Sequence, residues 1–224
     1  HGKVLIKADY EQIELRLAAE IAPDARMKKA FYEGRDLHSV TASYLLGKLE
    51  AEAVTDSQRQ MAKAVNFGLI FGMGARGLSS YAQNNFRVEM NEEKAATVRR
   101  RYFEAYSGIK NWHELQSRKQ ETRTILGRHR ILEGDRDYTN RLNSPIQGSA
   151  ADGLKLALVK LWETRDQVDA YPVLTVHDEI VIEAPKEQVQ KATEWLKRCM
   201  EEGMGEFLRE VPVAVEVTVK ESWG

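Results

Sequence analysis

The segment Val173–Ile182 reads VLTVHDEIVI, and it decides the fold. Two runs rich in β-branched residues, Val173–Val176 and Ile180–Ile182, flank the polar triplet His177–Glu179. Short β-rich runs on either side of a polar break predict two antiparallel strands joined by a tight turn. The sequence therefore predicts a β-hairpin that carries two acidic residues at its turn.

Two further strands are predicted near the ends of the chain. Lys3–Asp9 is a β-rich run that ends on a carboxylate. Val211–Val219 alternates valines with other residues, a pattern typical of a strand with one buried face. With the hairpin, these strands predict a small, mainly antiparallel sheet.

Helical patterns fill the middle of the chain. Caps and breakers predict helices at Ile13–Ala22, Ala25–Glu33, Leu37–Leu46, Ser57–Gly72, Asn91–Tyr106, Ile109 to about Gln120, Gln147–Trp162 and from Pro185 onward. Strands at both ends with helices between them predict an α+β fold, in which a mostly helical subdomain is inserted into a small antiparallel sheet.

Composition narrows the class of protein. Apolar residues make up 42% and charged residues 30% of the 224 positions, the balance of a soluble globular protein. The net charge of -1 excludes a uniformly basic coat but not a local basic face. The single cysteine, Cys199, excludes an intramolecular disulfide framework, and the sequence lacks the long apolar run of a spanning helix. Because the chain begins with His1, we expect a fragment or a processed product.

Asp9 and Asp178 are candidate metal ligands. The predicted sheet would place the hairpin beside the first strand, which would bring these two carboxylates together. Such a pair suits Mg²⁺, which prefers oxygen ligands and substrate phosphates. Glu179 would tune the site. On its own, the pattern also allows both aspartates to be solvated turn residues.

Arg59, Lys63, Phe67 and Phe71 recur at every fourth position of one predicted helix. They would share one broad face about 18 Å long. Two cations followed by two rings would suit a nucleotide, with the cations on the phosphates and the rings on the sugar and base. The alternative is a surface Arg/Lys pair whose stems lie beside two buried phenylalanines.

Two other patterns are less specific. Gly72–Gly77 matches G-x-G-x-x-G, but it closes a helix instead of following a strand, so we reject a dinucleotide site and expect cap and loop glycines. Arg99–Arg101 and Arg118–Arg136 are basic clusters. Either would bind nucleic-acid phosphates without reading sequence, or would simply be a solvated face.

Several segments, taken in order, resemble the family A DNA polymerases, the bacterial DNA polymerase I type. Asp9–Arg16 resembles motif A of that family, Arg59–Gly68 motif B and Val176–Glu179 motif C. Asn143–Asp152 matches a further segment near the primer–template, and Val211–Trp223 matches the terminal strand. Several motifs in the right order are far more specific than any one of them.

The resemblance implies a fold and an activity. Residues 1–24 and 136–224 would form the palm and 25–135 the fingers, with the motif B helix at about 57–72 and the motif C hairpin at about 173–183. The activity would be template-directed DNA synthesis for replication or repair, in which a deoxynucleotide passes from a dNTP to a primer 3′-OH by a two-metal mechanism. The cofactor would be two Mg²⁺ ions, with Mn²⁺ as a substitute. The partners would be primer–template DNA and a dNTP, with no membrane, and the full-length parent would be a monomer, cytoplasmic with the nucleoid if it is bacterial.

The resemblance also assigns roles to residues. The catalytic and metal-binding set would be Asp9, the Tyr10 carbonyl, Asp178 and the supporting Glu179. The nucleotide-binding set would be Tyr10, Gln12, Glu14, His38, Arg59, Lys63, Phe67 and Phe71. The DNA-binding set would be Asn143, Gln147 and His177. Within the nucleotide set, Glu14 would exclude a ribose 2′-OH, while His38, Arg59 and Lys63 would hold the triphosphate.

The sequence departs from the family pattern in three places. Phe71 stands where the family usually has Tyr, so Glu14 lacks a hydroxyl partner. Thr139 stands where the family often has Arg, with Arg141 as a candidate substitute. The family's thumb, part of its palm sheet and any proofreading domain precede motif A, whereas two residues precede Lys3 here.

Two rival functions are left open. A two-metal nuclease or phosphatase would also use the two aspartates, but it would not explain the cations and rings on one helix. A catalytically silent nucleic-acid-binding fragment would bind DNA without incorporating nucleotides.

Overall fold

A computed structural model of the protein describes residues 2–47, 51–134 and 137–222. Its strands are β1 (Lys3–Tyr10), β2 (Glu121–Arg123), β3 (His129–Ile131), β4 (Tyr171–Val176), β5 (Glu179–Pro185) and β6 (Val215–Lys220). Its helices are α1 (Ile13–Ile21), α2 (Ala25–Tyr32), α3 (Leu37–Leu46), α4 (Asp56–Ile70), α5 (Ala75–Phe86), α6 (Glu92–Ala105), α7 (Ser107–Ser117), α8 (Tyr138–Glu163) and α9 (Val189–Gly205). The predicted α+β class is confirmed.

The described residues form two compact units. The sheet unit comprises residues 1–17 and 147–224, and the helical unit comprises residues 18–146. The predicted palm and fingers boundaries, at residues 24 and 135, stay predictions.

The sheet unit is built on four antiparallel strands in the order β4-β5-β1-β6. Alternate residues of β1 are buried, including Val4, Ile6 and Ala8, which is the period expected of a strand with one covered face. Helix α9 covers that face, and the Tyr10 hydroxyl donates to the Met200 carbonyl at 2.7 Å. Thus the buried face of β1 anchors the strand, and the alternate positions, among them Asp9, lie on the other face.

The helical unit packs α2–α7 around an apolar core. Asp24 caps α2 by accepting from the backbone amides of Arg26 and Met27, and its second oxygen accepts from the Gly108 amide at 2.8 Å. A capping box of Thr55 and Gln58 opens α4. The Thr55 cap fixes where the helix that carries Arg59 and Lys63 begins.

Several element boundaries differ from the sequence-based ones. Helix α8 begins at Tyr138, not Gln147, and it runs through Pro145. Proline lacks the amide that would bond the Arg141 carbonyl, which usually ends a helix. Here the Thr122 hydroxyl donates to that carbonyl at 3.2 Å, so the lost bond is replaced from a neighbouring strand.

Other differences reflect short or weak patterns. The β2–β3 hairpin and α5 were not predicted. Gly74 is the N-cap of α5 and Gly77 lies inside it, so the glycine motif opens a helix as well as closing one, although it still follows a helix and not a strand. At the C-terminal end, β6 begins at Val215, and α9 begins at Val189 after a 3₁₀ turn.

Within the described part of the chain, no helix combines the length and apolar character needed to cross a membrane.

Candidate active site

The first candidate cluster is the acidic pair of the sheet unit. Strand β1 pairs with β5 in the register that sets Asp9 opposite Glu179, and the Tyr10 amide donates to the Asp178 carbonyl at 3.4 Å. The hairpin therefore lies beside the first strand, as the sequence predicted, and the structure brings Asp9 and Asp178 together. Glu216 lies opposite Asp9 on the other neighbouring strand, β6.

The groups around Asp9 are mainly acidic, and their negative charge exceeds what the nearby Lys7 offsets. Partial burial and the nearby Asp178 carboxylate raise the pKa of Asp9 to about 6, and only Lys7 acts in the other direction. Burial also raises the pKa of Asp178. One Asp9 oxygen, Oδ1, is buried and has no hydrogen-bond partner among the described residues. Buried carboxylate oxygens without partners are costly, so this cluster is short of positive charge.

Glu179 differs from the two aspartates because it already has a cation. Its carboxylate forms an ion pair with Lys7, which lies two residues before Asp9 on the same face of β1. Across residues 2–47, 51–134 and 137–222, no group of three or more His, Cys, Asp or Glu side chains is arranged to hold a metal ion. The candidate metal site therefore consists of two carboxylates, with Glu179 tied to Lys7.

Both turns beside the acidic pair contain a strained residue. Gln12 follows β1 with φ 52°, and His177 stands in the hairpin turn with φ 56°. A non-glycine residue in this left-handed region costs about 1 kcal/mol. Such strain persists where the surroundings hold it, and it concentrates at functional sites.

Glu14 lies in the first turn of α1 and is half-buried. The Gln147 amide donates to its Oε1 at 3.1 Å. Burial raises the pKa of Glu14, while the bond from Gln147 opposes that shift. Two predicted site residues, one assigned to the sugar and one to the primer–template, are thus in direct contact.

The second candidate cluster lies on α4 in the helical unit. Arg59, Lys63, Phe67 and Phe71 are all partly exposed, whereas the residues between them are mostly buried. The predicted common face therefore exists. Lys63 forms no hydrogen bond or ion pair with any residue that the structure describes.

Arg59 is held by an acid that sequence reasoning did not single out. Its Nε and Nη2 each donate to Asp36 at 2.9 Å, a two-point contact. Asp36 also caps α3 by accepting from the Ser39 amide. Burial alone would raise the pKa of Asp36, but the bonds from Arg59 and Ser39 outweigh it and lower the pKa to about 2. Arg59 is therefore orientated in advance of any ligand.

His38 lies on α3 and packs against this face. Its ring centroid is 5.8 Å from that of Phe67, and its Nδ1 is 2.9 Å from Nδ2 of the buried Asn66. Burial lowers the pKa of His38 to about 4, so the ring is neutral near pH 7. Asn66 directly precedes Phe67 in the sequence but lies on the buried side of α4, away from the partly exposed face of Arg59 and Phe67. That position is the one sequence signal that could have indicated a role for Asn66 other than nucleotide contact.

The predicted DNA-binding residues lie in different settings. His177 and Gln147 are exposed, and Asn143 is half-buried with its Oδ1 lacking a partner in the described structure. Arg141 is a poor substitute for the missing family arginine. It is buried, and it donates to the carbonyls of Lys119 and Gly134, which ties down the two ends of the β2–β3 hairpin segment.

The basic clusters divide in the same way. Arg101 donates to the Leu45 carbonyl, and Arg100 lies 3.9 Å from Glu104 in an exposed pair. Arg128 and Arg130 lie on the exposed part of the β2–β3 hairpin. Part of the basic sequence thus has a structural use, and part remains on the surface.

The whole chain, residues 1–224, matches the model of DNA polymerase family A. This chain belongs to that family. The predicted resemblance is confirmed.

Relatives support the same membership. The chain is 41% identical to DNA polymerase I of Aquifex aeolicus over 99% of its length and 39% of that protein. It is 41% identical to DNA polymerase I of Deinococcus radiodurans over 99% of the chain and 24% of that protein. It therefore spans about two fifths or less of these relatives.

A solved structure matches the fold. The polymerase domain of Pol1 from M. smegmatis, in complex with DNA primer–template and dNTP, has a TM-score of 0.85 and 31% identity. The match covers 98% of this chain and 40% of that one.

Proposed function

We propose that this chain carries the residues for template-directed DNA synthesis, in which a deoxynucleotide passes from a dNTP to a primer 3′-OH. The observation that carries the proposal is the unbalanced acidic pair. Asp9 and Asp178 lie together at neighbouring strand ends, and a buried Asp9 oxygen has no partner among the described residues. Membership of DNA polymerase family A indicates the reaction in which this pair would act.

The donor set fits a hard divalent cation. Asp9 and Asp178 would hold Mg²⁺ with carboxylate oxygens, and the Tyr10 carbonyl would assist, since the Tyr10 side chain is buried against α9. When bound, two such ions supply activation of the attacking oxygen and neutralisation of the leaving one. Glu179 supports the site through its pair with Lys7 and does not ligate directly.

The helical unit would supply the triphosphate ligands. Arg59 and Lys63 neutralise phosphate charge, and His38 donates a hydrogen bond. Phe67 stacks on the nucleotide, with Phe71 further along the same face. Because Asp36 already fixes the Arg59 guanidinium, little side-chain freedom is lost when the nucleotide binds.

The sugar and the primer–template would be contacted by the remaining residues. Glu14 occupies the space that a 2′-OH would need, and Gln147 holds that carboxylate in place. Gln12 lies in the adjoining strained turn. Asn143 and His177 contact the primer–template, and the Asn143 oxygen that lacks a partner in the described structure is available to it.

The reaction would proceed by direct substitution at phosphorus. The primer 3′ oxygen attacks the α-phosphorus while the bond to the bridging oxygen breaks, and pyrophosphate leaves. Positioning and electrostatic stabilisation supply most of the acceleration in such transfers. Arg59, Lys63 and His38 would hold the charge that develops on the pyrophosphate.

Primer extension tests this function. The full-length parent should extend a labelled primer only with Mg²⁺ or Mn²⁺, and the 224-residue chain alone should bind DNA weakly, with steep salt dependence, and extend poorly. Metal-dependent cleavage of the primer without extension would indicate the nuclease alternative. DNA binding by the parent without extension would indicate a silent binding protein.

A further inference from the structure

A chain of buried polar groups connects Tyr106 to His38 through the interior of the helical unit. The Tyr106 hydroxyl lies 2.7 Å from the Thr41 hydroxyl. The single Thr41 proton is shared between the Leu37 carbonyl at 2.8 Å and Oδ1 of Asn66 at 3.0 Å. Asn66 Nδ2 then lies 2.9 Å from Nδ1 of His38. Asn66 and Tyr106 are fully buried, so each bond in this chain is shielded from water.

The order of donors and acceptors in this chain decides the state of the histidine. The structure orientates the Asn66 amide with Oδ1 toward Thr41 and Nδ2 toward His38, so Nδ2 is the donor to Nδ1. A histidine nitrogen that accepts a hydrogen bond carries no proton, so the single proton of the neutral ring lies on Nε2. In the part of the chain that is described, Nε2 itself has no hydrogen-bond partner.

The charges around His38 favour the same neutral state. Arg59 and Lys63, from α4, lower its pKa, and Asp36, from its own helix, acts in the opposite direction, while burial has the largest effect. The Phe67 ring packs beside the imidazole and adds no charge. A neutral ring close to two cations avoids repulsion while it still offers one N–H donor.

We propose that Asn66 is a positioning residue that holds His38 as the neutral Nε2–H tautomer, so that His38 gives a phosphate oxygen a hydrogen-bond donor and not a positive charge. This inference rests on the proposed function for the phosphate, but the tautomer itself does not. Asn66 contacts no nucleotide in this account and acts through His38 alone. Thr41 and Tyr106 maintain the amide orientation of Asn66.

Nitrogen-15 NMR of the 224-residue chain, labelled at histidine, reads the tautomer directly at pH 7.5. The His38 resonances, assigned with a His38→Gln variant, should show a protonated Nε2 and an unprotonated Nδ1. A protonated Nδ1 in the parent chain would overturn the proposal, and this measurement needs no change at Asn66.

Asn66→Asp is the sharpest variant because a carboxylate has no N–H to donate. It can still accept from Thr41, so the fold keeps that bond, but Nδ1 of His38 must now become the donor. We expect the NMR signature to move to a protonated Nδ1, with a raised His38 pKa from the new negative charge. Asn111→Asp, on the exposed face of α7, is the matched control and should leave the His38 signature unchanged. An unchanged signature in Asn66→Asp would contradict the proposal.

Binding of inorganic tripolyphosphate to the same proteins separates the tautomer from its use. The Asn66→Asp chain should bind about tenfold more weakly than the parent, and Asn111→Asp should not differ. If the parent shows the Nε2–H tautomer but binds no tripolyphosphate, the phosphate role fails while the tautomer stands. If the parent binds tripolyphosphate with Nδ1 protonated, the inference fails while the proposed function stands.

Discussion

The acidic pair of the sheet unit and the cationic face of the helical unit are opposite electrostatic designs. Asp9 and Asp178 repel each other, and a buried Asp9 oxygen lacks a partner in the described structure. Arg59 and His38, by contrast, are held by Asp36 and Asn66 through short hydrogen bonds. Under the proposed function, the first cluster would need a cation to balance its charge, whereas the side chains of the second are already orientated by partners within the protein.

Because of this difference, we expect the two clusters to respond differently to mutation. Removing charge from an unbalanced cluster relieves repulsion, so stability is kept or gained while function is lost. Removing one member of a paired cluster leaves its partner buried without a hydrogen bond. Both the free energy of unfolding and the function should then fall. Equal changes in stability for variants of the two clusters would contradict this contrast.

The largest effect is expected at the acidic pair. Asp9→Asn or Asp178→Asn, in the full-length parent, should reduce single-turnover incorporation by at least about a thousandfold, because metal-dependent charge stabilisation is worth several kcal/mol. The thermal unfolding temperature of either variant should be equal to or above that of the parent. Glu216→Gln removes a third acid that lies opposite Asp9 and should retain near-normal activity. Comparable losses in all three variants would mean that general negative charge, not this pair, matters.

Glu14 tests an intermediate case, since it is half-buried with one neutral partner. Glu14→Ala should raise ribonucleotide incorporation relative to deoxynucleotide by about tenfold or more, because the space for a 2′-OH opens. Gln147→Ala leaves the carboxylate in place but loose and should have a smaller effect. Competition assays between the two nucleotide types measure the ratio. An unchanged ratio in Glu14→Ala would place sugar discrimination elsewhere.

The two cations on α4, both proposed to bind phosphate, should differ in how much they contribute to the stability of the fold. Lys63→Ala and Arg59→Ala should each raise the KM for dNTP by about tenfold with little change in DNA affinity. Only Arg59→Ala should also lower the free energy of unfolding, by about 1 kcal/mol after allowing for solvent screening, because Asp36 loses its partner. Lys94→Ala, an exposed lysine on α6, is the control for charge alone. Lost DNA affinity with unchanged nucleotide dependence in Lys63→Ala would assign this face to the duplex.

The smallest effect is the acid dependence of the Asp36–Arg59 pair. The pKa of Asp36 is about 2 in the fold and about 4 in an unfolded chain. A depressed pKa stabilises the fold above the unfolded value, and that contribution is lost as the pH falls from about 4 to 2. The free energies of unfolding of the parent and of Asp36→Asn, measured in urea, should therefore differ by about 1 kcal/mol at pH 5, after discounting for solvent exposure. The two values should converge toward pH 2. A difference in unfolding free energy that stays constant with pH would show that the Asp36–Arg59 ion pair does not stabilise the fold.

Much of the fold was open to prediction because strong local patterns agree with the tertiary structure. The β-rich runs of β1 and around Asp178, and the capping box at Thr55, each follow one dominant local rule. Helix α8 extends further toward the N-terminus than the predicted Gln147–Trp162 because a bond from Thr122, nineteen residues before Arg141, replaces the one that Pro145 cannot make. The β2–β3 hairpin has three-residue strands, too short for a period to appear.

The candidate site shows the same limit at the level of side chains. Spacing alone indicated the shared face of Arg59 and Lys63, and the predicted pairing of strands placed Asp9 near Asp178. It could not reveal that Asp36 holds Arg59, that Asn66 holds His38, or that Arg141 is used to fix a hairpin. Those partners are distant in sequence and have ordinary local patterns, so only the packed structure identifies them.

Manganese binding measured by electron paramagnetic resonance tests the central claim most directly, because it needs neither DNA nor catalysis. In the 224-residue chain at millimolar Mn²⁺, we predict bound Mn²⁺ that is lost in Asp9→Asn and in Asp178→Asn but kept in Glu216→Gln. Equal Mn²⁺ binding by the parent chain and both aspartate variants would contradict the claim that these two carboxylates form the metal site.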